Sequence, residues 1–331
     1  MFEKKLPNVA ILATGGTISA RGKTAMQMTG YQTGLVEVSE IIDAVPEIQQ
    51  FANISGEQIT NVASPSLTFD IIKNLIERIN KLLSENIDGI VVTHGTSTLE
   101  ETAYLTNLLI KTEKPVVFTG AMRPATAISA DGNINLLNAV MLAAHPDAIS
   151  KGVLVILNGQ INPSRDVTKT NSMSVETFKC PELGFIGYVQ NNEPYFFRTT
   201  NKRHTLHSEF SIDDMNNIPK VDIVYGYLND DALHVNASVA AGAKGIVIAS
   251  TGHGSISQAL KQGLIDAQKA GVAIVKTSRC GSGMVTRVED DDKNNFIVGG
   301  TLNAQKARLL LMLALTKTND VAEIQRIFNE Y

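Results

Sequence analysis

Short runs of apolar residues alternate with longer amphipathic stretches along the chain. Residues Val9–Thr14 form an uninterrupted small and apolar run, which predicts a buried strand that leads directly into Gly15 and Gly16. The stretch from Ser66 to Leu83 predicts a helix instead. Its apolar residues recur at helical spacing: Phe69, Ile71, Ile72, Leu75, Ile76, Ile79 and Leu82. Strands and helices in alternation are typical of an α/β protein.

Five further apolar runs each end in small or polar residues and are predicted to be strands. They lie at about Ile90–Thr93, at Val116–Thr119 and within residues 221–227, 243–255 and 271–283. Open α/β sheets place their ligand sites just past the carboxyl ends of such strands. A helix is expected to begin near Thr98, and Asn303 and Asp320 are predicted to cap the two helices that close the chain.

The polar stretch at residues 199–220 has no sustained period and is predicted to connect two domains. We therefore predict a larger N-terminal α/β sheet domain at residues 1–198 and a smaller α/β domain with a parallel sheet at 221–331. A chain of 331 residues with 44% hydrophobic content is long enough for two ordinary cores.

Composition argues against several classes of function. A net charge of −4 disfavours a nucleic-acid partner, and no apolar run reaches membrane-spanning length, so we expect a soluble protein with no membrane partner. Cys180 and Cys280 have no metal-like or redox-like neighbours and are predicted to be separate thiols. His204 and His207 have no accompanying third ligand, so no metal site is predicted.

The stretch "GGTISARGKT" ends like a phosphate-binding loop. That loop requires four residues between its first glycine and the Gly-Lys-Thr, whereas Gly16 and Gly22 are separated by five. The backbone N–H groups would then not converge on one phosphate, so a nucleotide-dependent enzyme is disfavoured. The stretch either presents Thr17 as a nucleophile or forms an ordinary glycine turn.

Three predicted strand-end loops present hydroxyl groups, on Thr17, Thr96 and Ser64. A threonine hydroxyl is a weak nucleophile unless a neighbouring base activates it. Lys169 could be such a base if burial lowers its pKa, and Tyr31 could serve as a phenolic base. Each also has a plainer interpretation: a helix cap for Thr17, a solvated charge for Lys169 and a core ring for Tyr31.

Other polar residues are assigned no chemistry. His94 directly follows a predicted buried strand and is expected to be a hydrogen-bonded packing residue. Arg203 and the acidic run Glu289–Asp292 are expected to be solvated.

Five segments together resemble one family: "ILATGGTIS", "VVTHGTSTLEETAYL", "KPVVFTGAMRPATAISADGNINLLNAV", "SRDVTKTN" and "GTLNAQKARLLLMLALTKT". They are similar to bacterial type II L-asparaginases of the glutaminase-asparaginase group, in order from about Leu6 to Tyr331. The resemblance implies a homotetramer of intimate dimers that needs no cofactor. It also implies an active site between the N-terminal domain of one subunit and the C-terminal domain of its neighbour.

The resemblance also implies roles for individual residues. Thr17 matches the threonine that attacks the side-chain amide, and Tyr31 the tyrosine that assists from a flexible loop, here about residues 19–33. Thr96 and Lys169 match a second pair beside the scissile carbon. Two further positions match groups that hold the substrate: Ser64 the serine that binds its α-carboxylate, and Ala121 the carbonyl that accepts a hydrogen bond from the leaving amide nitrogen.

The chain departs from the family pattern at four positions. Ser97 stands where the family has Asp, Pro65 where it has Gln or Glu, and His253 where it has the Asn of Gly-Asn-Gly. The family's late Glu aligns with Val288, although a shift of one residue would bring Glu289 there. The Asp, Gln or Glu and late Glu are the groups that bind the substrate's α-ammonium in the family.

These departures suggest an amide substrate whose α-nitrogen is substituted, such as fructose-asparagine or an N-acyl or peptide-like asparagine. Ser97, His253 and Val288 would make room for the substituent. Two alternatives stay open: an ordinary asparaginase or glutaminase, and a non-catalytic protein that binds an amide metabolite. The family resemblance favours a periplasmic mature protein over a cytoplasmic one.

Overall fold

The computed structural model describes residues 5–32 and 34–331, which divide into two compact units. The first unit ends at Ile212 and the second is Asp213–Tyr331. This boundary falls within residues 199–220, the stretch predicted to connect two domains. Among the described residues, no helix has both the length and the apolar character that a membrane crossing requires.

The first unit is built around a mixed sheet of eight of its described strands, in the order β10-β9-β6-β5-β4-β3-β1-β2. The strands of this unit are β1 (Asn8–Ala13), β2 (Asn53–Gln58), β3 (Gly89–Thr93), β4 (Val116–Thr119), β5 (Val153–Leu157), β6 (Gln160–Pro163), β7 (Thr168–Lys169), β8 (Phe178–Lys179), β9 (Gly187–Gln190) and β10 (Glu193–Phe196). Strands β2, β1, β3, β4 and β5 run parallel, whereas β6, β9 and β10 are joined by antiparallel pairings. The short strands β7 and β8 pair with each other in a separate sheet.

The helices of the first unit cover this sheet. They are α1 (Val38–Asp43), α2 (Phe69–Ser84), α3 (Leu99–Leu109) and α4 (Gly132–Ala143). Helix α2 buries one apolar stripe that includes Leu75, Ile76 and Ile79, as its spacing predicted. Every residue of β3, β4 and β5 is buried, which is expected for parallel strands with both faces covered.

The second unit contains a parallel sheet in the order β11-β12-β13-β14. Its strands are β11 (Val221–Tyr225), β12 (Gly245–Ser250), β13 (Ala273–Ser278) and β14 (Ile297–Val298), and its helices are α5 (Leu233–Ala240), α6 (Gln258–Lys269), α7 (Glu289–Lys293), α8 (Ala304–Lys317) and α9 (Val321–Glu330). Asn303 and Asp320 cap α8 and α9, because their side chains accept hydrogen bonds from the backbone N–H groups of Lys306 and Glu323. The two-unit α/β fold and both caps confirm the predictions.

The expectation that the acidic run Glu289–Asp292 is solvated is wrong for Asp291. This side chain is 0% exposed and forms an ion pair with Lys276 of β13, which is itself 5% exposed. The other carboxylate oxygen of Asp291 accepts the backbone N–H of Val288 at 3.0 Å. The buried pair therefore connects β13 to the start of α7.

Two further expectations concern Arg203 and the cysteines. The Arg203 side chain is 37% exposed, and its Nε–H donates to the His207 carbonyl at 2.9 Å. Cys180 is buried and Cys280 is exposed, and both are free thiols, as predicted.

Candidate functional site

Two strand-end loops meet backbone to backbone at the candidate site. Strands β1 and β3 are neighbours with Ala13 opposite Thr93, so the loops that follow them leave the sheet side by side. Gly16 has a φ of 87°, and a Cβ atom added there would lie 2.3 Å from the Cα of Gly95. No side chain fits at that distance. The glycines of "GGTIS" therefore allow the loop that carries Thr17 to lie against the loop that carries Thr96.

The first hydroxyl of the site belongs to Thr17, which opens a short 3₁₀ turn at Thr17–Ser19. Its Oγ1 and the Tyr31 Oη lie 2.9 Å apart in a hydrogen bond, and Thr17 is 8% exposed. Gly16 is the cap residue of this turn, and no side-chain cap bond is present there. Thr17 thus does not cap the turn, and the structure brings it together with Tyr31.

The segment that carries Tyr31 returns to the site through several hydrogen bonds. Arg21 and Gln32 form an isolated antiparallel bridge, and the Gly22 N–H donates to Thr126 Oγ1 at 2.8 Å. Residue 33, the last of the predicted flexible loop, lies outside the described residues. The described part of the loop is thereby attached to the segment that follows β4.

The second hydroxyl belongs to Thr96, whose Oγ1 accepts a hydrogen bond from the Lys169 Nζ at 2.9 Å. Burial lowers the pKa of Lys169, and the negative charge of Glu100 opposes this effect. The Lys169 backbone N–H also donates to Glu100 Oε2 at 2.7 Å. Lys169 is half-buried rather than fully solvated, so the plainer interpretation of a surface charge does not describe it.

Ser64 lies beside the junction of the two loops. It is 4% exposed, and a Cβ atom added to Gly95 would be 2.8 Å from its Oγ. The Ser64 carbonyl accepts a hydrogen bond from Thr98 Oγ1 at 3.0 Å, which joins the 3₁₀ turn at Ser64–Ser66 to the start of α3. Ser64 therefore lies at the same junction as Thr17 and Thr96.

Ala121 lies in the loop after β4, and one carboxylate shapes that loop. Asp131 accepts the backbone N–H of Met122 at 3.0 and 3.1 Å and that of Arg123 at 2.9 Å. The Gly120 carbonyl accepts a further bond from Asn135 Nδ2 at 2.9 Å. These bonds fix the backbone on both sides of Ala121. The family resemblance assigns the Ala121 carbonyl to accept a hydrogen bond from the leaving amide nitrogen.

His94 is a buried packing residue, as expected. Its Nδ1 donates to the Gly95 carbonyl at 2.8 Å, which fixes the loop just before Thr96. Complete burial lowers its pKa from 6.5 to about 4. The ring is therefore neutral in the folded protein near pH 7.

We expect this histidine to make the protein less stable in acid. The unfolded chain binds a proton to His94 near pH 6.5 but the folded chain only near pH 4, so protonation favours unfolding as the pH falls through that interval. The free energy of unfolding should fall by about 3 kcal/mol from this group. Urea unfolding at pH 7, 5.5 and 4 measures the change.

The matched variants are His94→Asn, whose amide can still donate to Gly95, and His234→Gln at an exposed histidine. His94→Asn should make the pH dependence of stability shallower, and His234→Gln should leave it unchanged. An unchanged pH dependence in His94→Asn would contradict the assignment of this acid sensitivity to His94.

The second unit carries the remaining predicted site residues in the segments that follow β12 and β13. The Thr286 backbone N–H donates to His253 Nε2 at 3.1 Å, and the Thr286 hydroxyl lies 2.9 Å from the same nitrogen. In the neutral ring the proton is then on Nδ1. Val288 precedes α7 and is 44% exposed, and Glu289 pairs with Lys293 at 2.7 Å.

The predicted site residues fall into two groups by burial. Thr17, Thr96 and Ser64 are buried among backbone atoms of neighbouring loops, whereas Ser97 and Pro65 are exposed, as are His253 and Val288. The three hydroxyls are thus inside the fold, Tyr31 and Lys169 are half-buried, and the four positions that depart from the family pattern are exposed.

Sequence reasoning missed two carboxylates that shape the site, Glu100 and Asp131. Both could have been suspected, because each acid lies at or just before the start of a stretch with many apolar residues: Glu100 in "TLEETAYLTNLL" and Asp131 in "ISADGNINLL". Within residues 5–32 and 34–331, no group of three or more His, Cys, Asp or Glu side chains could hold a metal ion.

The chain is similar to known proteins over nearly its whole length. The family model "Asparaginase, N-terminal" matches residues 8–202, and "Glutaminase/Asparaginase C-terminal domain" matches residues 220–328. The chain is 51% identical to "L-asparaginase 2" of Bacillus subtilis (strain 168), with 99% of this chain and 88% of that protein covered. It is 46% identical to "Glutaminase-asparaginase" of Pseudomonas fluorescens biotype A, with 99% and 91% covered.

A solved structure shows the same fold. The crystal structure named "Probable Cytoplasmic L-asparaginase" from Campylobacter jejuni superposes with a TM-score of 0.96 at 45% sequence identity. The match covers 98% of this chain and 100% of that one.

Proposed function

Because this chain belongs to the asparaginase family and is an amidohydrolase of that type, we propose that it hydrolyses the side-chain amide of asparagine, glutamine or a close derivative. The products are the carboxylic acid and ammonia. The observation that carries this proposal is the pair of hydroxyls on adjoining loops, with Thr17 hydrogen-bonded to Tyr31 and Thr96 to Lys169.

In the first step, the Thr17 hydroxyl attacks the amide carbon. A C–O bond forms and the C–N bond breaks, and the proton of Thr17 passes by way of the Tyr31 hydroxyl to the departing nitrogen, which leaves as ammonia. The Ala121 carbonyl accepts a hydrogen bond from that nitrogen, and Ser64 binds the substrate's α-carboxylate. A nucleophile with an adjacent proton acceptor is the arrangement that such covalent catalysis requires.

In the second step, water hydrolyses the acyl-threonine. Neutral Lys169 takes a proton from this water through the Thr96 hydroxyl and returns it as Thr17 leaves. The lowered pKa of Lys169 supports this role, because a larger fraction of the amine is then neutral at a given pH. Activity should therefore fall in acid as Lys169 becomes protonated.

A second candidate is an amide whose α-nitrogen carries a substituent. Two features favour it: Ser97 has no charge to offer an α-ammonium, and His253 Nε2 already accepts the Thr286 N–H, which leaves Nδ1 as a donor. An ammonium needs accepting or negatively charged partners, whereas a hydroxyl or carbonyl on a substituent can accept from such a donor.

Ammonia release from a substrate panel tests both candidates. The panel contains L-asparagine, L-glutamine, N-acetyl-asparagine and fructose-asparagine, with Thr17→Ala as the blank. Efficient turnover of free L-asparagine or L-glutamine supports an ordinary asparaginase or glutaminase. A strong preference for a substituted amide supports the second candidate, and binding of all four amides without ammonia release would contradict catalysis.

We expect the Ser97→Asp variant to improve turnover of free asparagine if Ser97 faces the α-ammonium. One added charge-assisted hydrogen bond of about 1.5–3 kcal/mol corresponds to a rise in kcat/KM of roughly 10- to 100-fold. Ser97→Asn is the matched control, because it has the same shape without the charge. Equal kcat/KM values for the two variants would contradict an ammonium pocket at Ser97.

The assembly and the compartment remain proposals that derive from the family resemblance. We propose a homotetramer in which a neighbouring subunit completes each active site, in the periplasm or the cytoplasm. Light scattering of the purified protein measures the assembly, and a monomer with full activity would contradict it.

A further inference from the structure

A buried carboxylate lies beside the Thr96–Lys169 pair and takes no part in either step of the proposed reaction. Glu100 lies in the first turn of α3 and is 5% exposed. Its Oε2 accepts the backbone N–H of Lys169 at 2.7 Å. A carboxylate removed from water in this way is costly unless its hydrogen bonds are made inside the protein.

We propose that Glu100 is a positioning residue that anchors the backbone of Lys169 beside Thr96 and keeps a negative charge close to this lysine. This inference rests on the proposed role of the Thr96–Lys169 pair in amide hydrolysis. It adds a residue that makes no contact with the substrate and acts through Lys169.

The geometry supports the positioning role. Strand β7 is two residues long and belongs to the small sheet with β8, not to the main sheet. Two hydrogen bonds join Lys169 of this strand to the segment after β3: its Nζ donates to Thr96, and its backbone N–H donates to Glu100. Because Thr96 and Glu100 belong to one short segment, the two bonds hold both the backbone and the side chain of Lys169 against it.

The charges around Lys169 support the electrostatic role. Burial lowers the pKa of Lys169, and the negative charge of Glu100 opposes that shift. Lys179 of the adjacent β8 forms an ion pair with Glu176 at 2.9 Å, and Glu101 follows Glu100 on α3 as a half-buried residue. Glu100 is thus the carboxylate that directly bonds the lysine whose neutral form acts as the base.

Two substitutions separate the positioning role of Glu100 from its electrostatic role. In Glu100→Gln the side-chain amide oxygen can still accept the Lys169 N–H, but the charge is lost. Desolvation of Lys169 then acts unopposed, so we expect the acidic limb of the kcat/KM profile to move to lower pH. In Glu100→Ala the anchor is lost too, and we expect kcat to fall by on the order of 10²-fold with a smaller change in KM.

Three comparisons make the experiment decisive. Glu101→Gln, the matched control on the same helix, should keep the wild-type pH profile. Lys169→Met should lose most of the activity; if it does not, the proposed role of Lys169 fails, and the inference about Glu100 fails with it. If Lys169→Met is inactive but Glu100→Gln has the wild-type pH profile, the electrostatic role of Glu100 is overturned. If Glu100→Ala folds and keeps the wild-type kcat, the positioning role is overturned. If Glu100→Ala does not fold, as judged by circular dichroism, the profile of Glu100→Gln decides.

Discussion

The Thr17→Ala variant is expected to release ammonia from the preferred amide with kcat lower by roughly 10⁴-fold or more. The structure places the Thr17 hydroxyl 2.9 Å from Tyr31 in a loop that the backbone contact between Gly16 and Gly95 positions. Alanine removes the oxygen proposed to attack the amide without changing that contact. Substrate affinity, measured by calorimetry, should remain close to that of the wild type.

Two further variants distinguish a nucleophile from a merely buried hydroxyl. Thr17→Ser retains an attacking oxygen and should keep measurable activity, whereas Tyr31→Phe keeps the ring but loses the proton path and should lose roughly 10²- to 10⁴-fold in kcat. Equal activity of Thr17→Ala and the wild type would assign the nucleophile elsewhere, with Thr96 as the next hydroxyl to test.

The Asp291→Asn variant is expected to lower the free energy of unfolding by about 3–5 kcal/mol. The substitution keeps the volume of the side chain but leaves the Lys276 ammonium buried beside a neutral amide. A buried charge without a partner lowers the free energy of unfolding by more than the intact ion pair raises it. Urea unfolding of wild type and variant, followed by circular dichroism, measures the loss.

The neighbouring acid provides the matched control. Asp292 pairs with Arg287 at 2.5 Å at the surface, so Asp292→Asn should cost less than about 1 kcal/mol. The double variant Asp291→Leu with Lys276→Met replaces the buried charges by apolar groups and should recover most of the lost stability. Equal stabilities of Asp291→Asn and Asp292→Asn would show that burial of the pair contributes nothing.

Much of the fold could be predicted from the sequence because buried strands and helices have recognisable patterns of apolar residues. Strands covered on both faces appear as continuous apolar runs, so β4 at Val116–Thr119 was placed correctly. Strand β1 ends one residue earlier than predicted, at Ala13, since Thr14 leaves the strand while its N–H still donates to Thr93. The caps at Asn303 and Asp320 were predictable for a similar reason, because a cap is a local interaction.

The hydrogen-bonded side-chain pairs of the site were harder to predict from the sequence, because the fold brings together residues that lie far apart in the chain. Lys169 reaches Thr96 from 73 positions later in the chain, and only the family resemblance brought the two together beforehand. The burial of Asp291 was missed because an acidic run is usually solvated. The available signal was its partner, Lys276, a lysine that directly follows the apolar run Ala273–Val275 of the buried strand β13.

The contrast in exposure across the site has a consequence for how substrate range can change over time. Substitutions at surface positions such as Ser97, Pro65 and Val288 usually alter stability by no more than about 0.5 kcal/mol. The family resemblance implies that these positions contact the substrate, so we expect substitutions there to change the amide that is bound while the protein stays folded. A randomised library restricted to these three positions should consist mostly of folded proteins, and the spread of amide preference among them measures how far these positions set specificity.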